Sequence, residues 1–460
     1  MRLKIQYQLP LAFMTEGRGE TPDAGCEGTE SPTAKREPEN PATGASLMEE
    51  VCERENFADA WQQVRSNQGS PGVDGRTIDE TRDYLREHWP TIREQLLNGT
   101  YRPQPVRRVE IAKPDGGVRK LGIPTVLDRL IQQAILQVLQ SRWDPTFSEH
   151  SYGFRPGRSA HQAVAQAQSY VAEGHEFVVD IDLEKFFDRV NHDILMDRVA
   201  RRISDKRLLR LIRAYLNAGV MENGLVGPTD EGVPQGGPLS PLLSNLVLDE
   251  FDRELTRRGL RFCRYADDCN IYVGSRRSGE RVMASVCRFL TSRLQLKVNK
   301  SKSAVARSGE RKFLGFTISN DVEPTRQIAV KALQKFKERI REQTCRTLGV
   351  SLPQLIAPVA RYLVGWRGYF GFCQTPIVLR NLDAWIRRRL RMYIWRQWKN
   401  GRTRYAQLRR LGVSHFHAAV AAGAASGFWR MARHVTVQQA LPNAYFDSIG
   451  LARLEAPPTA

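Results

Sequence analysis

Residues 262–273 read FCRYADDCNIYV, a short polar stretch between two apolar arms. This pattern predicts a β-hairpin with Asp267 and Asp268 at its tip. Some eighty residues earlier, residues 177–182 (FVVDID) predict a strand that ends in acidic residues. Carboxylates that lie together without counter-charges repel one another, and divalent cations such as Mg²⁺ would compensate them. Taken alone, each segment could equally be an acidic surface turn.

The segment between these two acidic stretches, residues 232–241, is rich in glycine and proline (GVPQGGPLSP). Glycines permit close approach of the backbone to a ligand, and prolines favour the start of a following helix. Elsewhere the patterns predict helices at 48–67 and 77–97, and strands at 106–111 and 118–123 joined by a hairpin turn. Long helices that alternate with short strands predict a mixed α/β protein.

Charge is distributed unevenly over the 460 residues, which include 69 lysines and arginines against 50 aspartates and glutamates. Residues 1–47 contain five basic and seven acidic residues and five prolines, a composition that predicts a disordered leader. Residues 48–324 are nearly balanced, with 41 basic and 38 acidic residues. Residues 325–460 contain 23 basic and five acidic residues, so they carry nearly all of the net charge of +19. Such an excess favours a polyanionic partner, most often a nucleic acid.

Two classes of protein are disfavoured by the composition. No run approaches the ~18 uncharged apolar residues that a membrane helix requires, so we expect no membrane partner. The seven cysteines form no Cys-x-x-Cys pair, and their odd number argues against a disulfide framework or a zinc ribbon. The expected compartment is therefore reducing, which favours the cytoplasm.

Several short stretches resemble one family of polymerases. Residues 265–268 (YADD) resemble the signature of reverse transcriptases, and residues 182–188 (DLEKFFD) resemble their other metal-binding segment. More closely, the chain is similar to bacterial group II intron reverse transcriptase/maturases over about residues 48–450. The further shared stretches, in the same order, are 121–125 (LGIPT) with 128–129 (DR), 152–159 (YGFRPGRS), 311–316 (RKFLGF) and 365–370 (GWRGYF).

This resemblance implies a fold and a division into domains. The expected fold class is α/β (α+β), with right-hand polymerase fingers and palm on an antiparallel sheet, followed by an α-helical thumb/maturase domain. Fingers and palm would occupy residues 48–324, with 48–100 as an N-terminal extension. Residues 325–400 would form the thumb, and residues 401–460 a small DNA-binding domain and tail.

The resemblance also implies a metal site. Asp182, Asp267 and Asp268 would be the catalytic, metal-binding residues, with Leu183 as a further metal-binding position. Two Mg²⁺ ions, for which Mn²⁺ is a possible substitute, would activate a 3′-hydroxyl and stabilise the leaving pyrophosphate. Asp180 lies on the same strand face and is interpreted as a structural acid.

Nucleotide contacts are expected around this metal site. The resemblance places Phe187 beneath the sugar, where a ring would exclude a 2′-hydroxyl and select deoxynucleotides. One of the adjacent Phe186 and Phe187 is expected to be an ordinary core residue, and residues 183–190 are predicted to form a helix. Cations at the fingers hairpin can contact a triphosphate, arginine through a forked contact. The other candidates are Lys113, Arg119, Arg107 and Gln235 for the nucleotide, and Lys300 and Lys302 for the pyrophosphate.

The C-terminal region contains the candidate nucleic-acid contacts. Residues 383–400 (DAWIRRRLRMYIWRQWKN) predict a helix with an apolar stripe that packs on a core. The arginines lie off this stripe, so we expect them to point outward, among tryptophans that suit unstacked bases. The candidates are Arg387, Arg388 and Arg391 with Trp385, Trp395 and Trp398 on this helix, and Arg402 and Arg404 after it.

The implied function is that of an RNA-directed DNA polymerase encoded by a group II intron. It would bind intron RNA, assist splicing, and copy template RNA into DNA from a primer or target DNA and dNTPs during intron mobility. No cysteine follows Gly427, so a branch without an endonuclease domain, similar to group IIC enzymes, is expected. Two alternatives stay open, a polymerase-inactive RNA-binding splicing factor and a relative recruited to host DNA repair or defence. The sequence does not predict the oligomeric state.

Overall fold

The computed structural model describes residues 47–112, 118–222, 225–227, 231–233 and 236–455. The predicted disordered leader lies outside the described residues except for Leu47. Leu47 is only 3% exposed and begins the first helix.

The secondary structure of the described residues is mixed. The helices are α1 (Leu47–Val51), α2 (Arg54–Ser66), α3 (Ile78–Leu97), α4 (Val126–Trp143), α5 (Ala160–Ala172), α6 (His192–Ala200), α7 (Lys206–Asn217), α8 (Ser240–Arg257), α9 (Arg276–Arg293), α10 (Val330–Gln343), α11 (Leu352–Phe370), α12 (Pro376–Gln397), α13 (Gly401–Arg410), α14 (His415–Gly423), α15 (Phe428–Met431), α16 (Val435–Ala440) and α17 (Asn443–Ser448). The strands are β1 (Val106–Ala112), β2 (Val118–Ile123), β3 (Phe177–Ile181), β4 (Val220–Glu222), β5 (Leu225–Gly227), β6 (Arg261–Tyr265), β7 (Asp268–Val273), β8 (Ala304–Arg307), β9 (Phe316–Ile318) and β10 (Arg326–Ile328). Short 3₁₀ helices span Asp144–Thr146, Phe186–Asp188 and Ser308–Glu310.

The central sheet has the strand order β6-β7-β3-β8, and every neighbouring pair is antiparallel. Val178, Val179 and Ile181 of β3 are buried, because this strand lies between two neighbours and helices cover the sheet. A second sheet, β2-β1-β4-β5, contains the predicted hairpin β1–β2. The prediction of an α/β protein with an antiparallel sheet and a following helical region is therefore confirmed.

Local predictions differ in accuracy. The helix predicted at 77–97 is present as α3. Thr77 and Glu80 form a capping box that fixes its start. The helix predicted at 48–67 is divided into α1 and α2. The helix predicted at 183–190 is wrong: only the 3₁₀ turn Phe186–Asp188 forms, and it follows Lys185 in a left-handed conformation (φ 50°) that an α-helix cannot accommodate.

The C-terminal helices share one hydrophobic core that extends from Ile328 to Leu454. Helices on both sides of residue 400 contribute to it, including Trp395 of α12 and Phe446 of α17. The core therefore continues across the predicted boundary at 400, which stays a prediction. A smaller core joins this region to the central sheet, where Phe316 packs against Tyr369 and Phe370.

Two further features of the described residues bear on the sequence predictions. None of their helices combines the length and the apolar character that a membrane span would need. Their six cysteines are all free thiols, as the irregular spacing predicts.

Candidate functional site

Acidic residues from two strands meet at one end of the central sheet. Ile181 pairs with Cys269, so the antiparallel register places Asp182 beside Asp268 immediately beyond the last pair. Tyr265 pairs with Asp268 and leaves Ala266 and Asp267 as a two-residue turn, in which Ala266 adopts a left-handed φ of 58°. The hairpin predicted from the sequence is therefore confirmed, with its carboxylates at the tip.

The charges of these acids affect one another. Asp268 keeps exposed surface, but protein atoms surround it and restrict its hydration. Desolvation and the charges of Asp267, Asp180 and Asp182 together raise the pKa of the Asp268 carboxyl group to about 7. Negative charge is thus concentrated here at a cost that a bound cation would relieve.

Lysine side chains provide part of the missing positive charge. The Nζ atom of Lys302 lies 3.6 Å from Oδ2 of Asp182, and the positive charge of Lys312 lowers the pKa of Asp268 in opposition to the acids. In the described part of the chain, no three His, Cys, Asp or Glu side chains are close enough together to form a ready-made metal site. The carboxylate oxygens suit Mg²⁺ chemically, but binding would require Asp182 to exchange its lysine partner for the ion.

Asp182 and Leu183 are held by their backbone. The N–H of Asp182 donates to Oγ of Ser303 at 2.9 Å, and its carbonyl accepts from the N–H of Asn299 at 2.8 Å. The N–H of Glu184 donates to the carbonyl of Lys297 at 2.8 Å. The backbone hydrogen bonds on either side of Leu183 therefore do not use the Leu183 carbonyl. The Leu183 side chain is buried, and only its carbonyl oxygen has the chemistry of a metal ligand.

Asp180 is paired with a cation, which agrees with its interpretation as a structural acid. Nη2 of Arg311 lies 2.7 Å from Asp180 Oδ2, and Nε donates to the same oxygen at 3.0 Å. Sequence reasoning assigned no role to Arg311 or Lys312, because Arg311 lies more than a hundred residues from Asp180 and Lys312 lies more than forty residues from Asp268. The only signal was their position in the shared stretch 311–316.

A buried arginine network supports the turn that carries Asp267. All five N–H groups of Arg264 are satisfied: two donate to the Asp252 carboxylate at 2.7 and 2.6 Å, and others donate to Asn245 and Ser151. The fifth donates to the carbonyl of Ala266 at 2.9 Å. Arg264 and Asp252 are 1% and 0% exposed, so solvent does not weaken this pair. Sequence reasoning missed it because nothing in the pattern of α8 distinguishes Asp252.

The stretch 152–159 supports the same turn from the other side. The N–H of Tyr152 donates to the carbonyl of Arg264 at 2.8 Å, and Asn245 donates to the carbonyl of Gly153 at 2.9 Å. A Cβ atom at Gly153 would overlap the amide nitrogen of Ala266, so this position requires glycine.

Phe187 lies beside the glycine-rich segment. Phe186 is 2% exposed and belongs to the core, whereas Phe187 is half-buried, so the expected difference between the two rings is present. The N–H of Val233 donates to the carbonyl of Phe187 at 2.6 Å. Gly232 has a φ of 94°, and a Cβ atom there would lie 2.9 Å from the same carbonyl. This packing brings the segment that leads to Gln235 against Phe187.

The fingers candidates are only partly described. Lys113, Gln235 and the side chain of Arg119 lie outside the described residues, and the backbone of Arg119 pairs with Ile111 in the β1–β2 hairpin. Arg107 is half-buried, and its Nε atom has no hydrogen-bond partner among the described residues. Its neighbour Arg108 is instead paired with Glu222 at 3.0 Å.

The expectation that the α12 arginines point outward is wrong for two of them. Arg387 and Arg391 are only 4% and 7% exposed. Arg387 is paired with Asp383 and Asp447, each at 3.3 Å, and Arg391 donates to the carbonyl of Leu441 at 2.9 Å. The pattern of a single helix cannot show that residues 441–455 cover this face.

The other C-terminal candidates differ in exposure. Arg388 is partly exposed and lies 3.7 Å from the centre of the Trp429 ring. Arg402 is exposed, whereas Arg404 is partly buried, 5.0 Å from the Trp395 ring. Trp395 itself is 0% exposed, so the prediction that it could stack on an unstacked base is wrong.

Comparison with known proteins supports the assignment of the two regions. The family described as "Reverse transcriptase (RNA-dependent DNA polymerase)" matches residues 111–318, and "Group II intron, maturase-specific domain" matches residues 333–412. Protein YkfC of Escherichia coli is 34% identical in an alignment of 299 positions that covers 56% of this chain and 78% of that protein.

Other relatives are longer than this chain. The group II intron-encoded protein LtrA of Lactococcus lactis is 39% identical over 45% of this chain and 34% of its own length. The putative COX1/OXI3 intron 1 protein of Saccharomyces cerevisiae is 26% identical over 68% of this chain and 43% of its length. The acidic strand ends, the turn at residues 265–268 and both family matches agree, and the chain belongs to the group II intron reverse transcriptase/maturase family.

Proposed function

We propose that this chain is an RNA-directed DNA polymerase encoded by a group II intron, which binds intron RNA, assists its splicing and copies it into DNA. The observation that carries the polymerase assignment is the cluster of Asp182, Asp267 and Asp268 at adjacent strand ends, with the pKa of Asp268 raised to about 7. Such a concentration of carboxylates is costly for folding and useful for binding cations. The bacterial relatives favour a bacterial cytoplasm as the setting.

The three carboxylates and the Leu183 carbonyl would hold two Mg²⁺ ions. When bound, these ions would activate the primer 3′-hydroxyl and stabilise the leaving pyrophosphate. The chain itself positions the ligands: Arg264 holds the carbonyl of Ala266, and Ser303 and Asn299 hold the backbone of Asp182. Lys302 and Lys312 provide positive charge beside the acids, where pyrophosphate would leave.

The incoming nucleotide would lie between the fingers hairpin and Phe187. Lys113 and Arg119 would contact its triphosphate, with Gln235 lining the pocket and Arg107 as a further cation. The half-buried Phe187 ring would exclude a 2′-hydroxyl. We expect Phe187→Ala to lower discrimination against ribonucleotides by about tenfold or more, and Phe187→Tyr to retain it. Primer extension with mixed nucleotides measures this ratio, and unchanged discrimination by Phe187→Ala would refute the assignment.

The polymerase proposal is tested by extension of oligo(dT) on poly(rA) with Mg²⁺. We expect activity from the unaltered chain and a decrease of about a thousandfold in Asp267→Asn, because a metal ligand contributes several kcal/mol to the transition state. The exposed carboxylate of Asp321 offers a matched control in Asp321→Asn, which should extend normally. If the purified unaltered chain incorporates nothing, the polymerase-inactive splicing factor becomes the better description.

Splicing assistance is tested in the same proteins. The charge of residues 325–460 supports binding of intron RNA mainly through phosphates, with exposed residues such as Arg402 among the contacts. We expect Asp267→Asn to retain RNA binding and splicing while it loses extension. A combined loss in a folded variant would contradict this separation of the two activities.

A further inference from the structure

A cavity of about 570 Å³ lies where α12 meets the C-terminal segment. It is large enough to hold a phosphate group together with part of the molecule that carries it. Its lining is dominated by arginine: the charged residues are Arg380, Asp383, Arg387, Arg388, Arg391, Arg433, Arg453 and Glu455. This concentration of positive charge lies far along the chain from the acidic strand ends.

Three of the six arginines have carboxylate partners. Arg380 lies 2.7 Å from Glu455, Arg387 lies 3.3 Å from Asp383, and Arg453 is paired with Asp447. These pairs account for the acids at the cavity and balance half of its arginines.

The other three arginines lack a carboxylate partner within the described residues. Arg388 donates to the carbonyl of Trp429 at 3.0 Å, and Arg391 to that of Leu441 at 2.9 Å. Arg433 is exposed, and its side chain makes no ion pair with any described residue. Carbonyl oxygens orient a guanidinium but do not neutralise it, so the cavity retains positive charge.

Burial makes this retained charge costly. Desolvation lowers the pKa of Arg388 and of Arg391, and the charges of Arg433 and Arg387, respectively, lower them further. The side chain of Arg387 is almost completely buried, since the residue is only 4% exposed. The Nε atoms of Arg387 and Arg388 are buried and have no hydrogen-bond partner among the described residues. A bound anion would supply the missing negative charge.

We propose that this cavity is a phosphate-binding site, in which Arg388 and Arg433 contact the ligand and Arg391 provides buried charge behind them. Guanidinium groups match phosphate geometry through paired N–H donors. The phosphate would belong to a nucleic-acid strand or to a free phosphate compound. Only the strand source rests on the proposed function.

The test uses Arg433→Gln in the full chain. Among the six arginines of the cavity, Arg433 is the one whose side chain makes no hydrogen bond or ion pair with a described residue. Arg54→Gln, which removes an exposed arginine from α2, is the matched control. Thermal unfolding is followed with sodium phosphate against sodium chloride at equal ionic strength. We expect phosphate to stabilise the unaltered chain and the control, and Arg433→Gln to lose at least half of this stabilisation.

A second measurement identifies the source of the phosphate. If a strand occupies the site, Arg433→Gln should weaken binding of a single-stranded RNA about tenfold and reduce the slope of log affinity against log salt by about 0.7, and the control should not. A loss in the phosphate measurement alone assigns the site to a free phosphate compound. If Arg433→Gln equals the control in both measurements, the proposal is wrong. Absence of polymerase activity would instead refute the proposed function, since neither measurement depends on extension.

Discussion

The central sheet and the C-terminal helices both bury arginines, but they treat the charge differently. In the sheet region, Arg264 has a carboxylate partner in Asp252 and all five of its donors are satisfied. In the helical region, the hydrogen-bond partners of Arg391 among the described residues are carbonyl and amide oxygens, and the nearby Arg387 repels it. In the first arrangement a carboxylate neutralises the arginine, whereas in the second the arginine keeps its positive charge.

The two candidate sites carry charges of opposite sign. The sheet region is nearly balanced overall, and negative charge is concentrated in it at the acids around Asp268, where Lys302 and Arg311 compensate part of it. The helical region is strongly basic, and the cavity beside Arg388 concentrates that charge. Buried charge that a fold leaves unpaired lowers its stability, so such positions indicate where a ligand of opposite charge would bind.

The largest effect on stability is expected at the Arg264–Asp252 pair. Arg264→Met should lower the free energy of unfolding by about 3–5 kcal/mol, because it leaves the Asp252 carboxylate buried without a cation. Urea unfolding measures this change. Arg264→Met/Asp252→Leu removes both charges and should recover a large part of the loss. If the double variant is as unstable as the single one, packing rather than charge pairing explains the effect.

A smaller effect is expected at Arg391, and this difference is the direct test of the comparison. Arg391→Met should cost only about 1–2 kcal/mol, because the lost hydrogen bond to the Leu441 carbonyl is partly offset by relief from desolvation and from the charge of Arg387. The measurement is again urea unfolding. A cost equal to that of Arg264→Met would mean that both arginines are equally well compensated.

The sequence predicted the features that depend on neighbouring residues. Two apolar arms around a short polar stretch predicted β6, β7 and the turn with Asp267, and the helix predicted at 77–97 corresponds to α3. The family resemblance then related Asp182 to this turn across some eighty residues.

Features that depend on distant partners were missed. The Arg264–Asp252 pair and the Arg311–Asp180 pair join residues that no local pattern relates. The outward direction predicted for Arg387 failed for the same reason, since the covering segment lies some sixty residues further along the chain. The residues that position the acids were therefore harder to predict than the acids themselves.

The smallest effect is expected at the acidic site, where Asp268 is exposed and solvent screens the charges of its neighbours. A carboxyl group whose pKa is raised from 3.8 to about 7 in the folded chain stabilises folding fully below pH 3.8, and this contribution is lost as the pH rises to 7. Asp268→Asn has no proton to lose. In EDTA, its melting temperature should therefore exceed that of the unaltered chain by an amount that grows from pH 5 to pH 7 and then levels off. Thermal unfolding at pH 5, 6, 7 and 8 measures this profile.

The control separates the site from the general charge of the protein. Asp59 is exposed on α2 and has no described hydrogen bond or ion pair, so Asp59→Asn should show little difference from the unaltered chain at any of these pH values. Mg²⁺ should stabilise the unaltered chain at pH 8 and reduce the advantage of Asp268→Asn, because the ion compensates the charge that the substitution removes. A difference in melting temperature that stays constant across the pH range would show that the neighbouring charges do not raise the pKa of Asp268. The contrast between the two regions would then rest on the basic cavity alone.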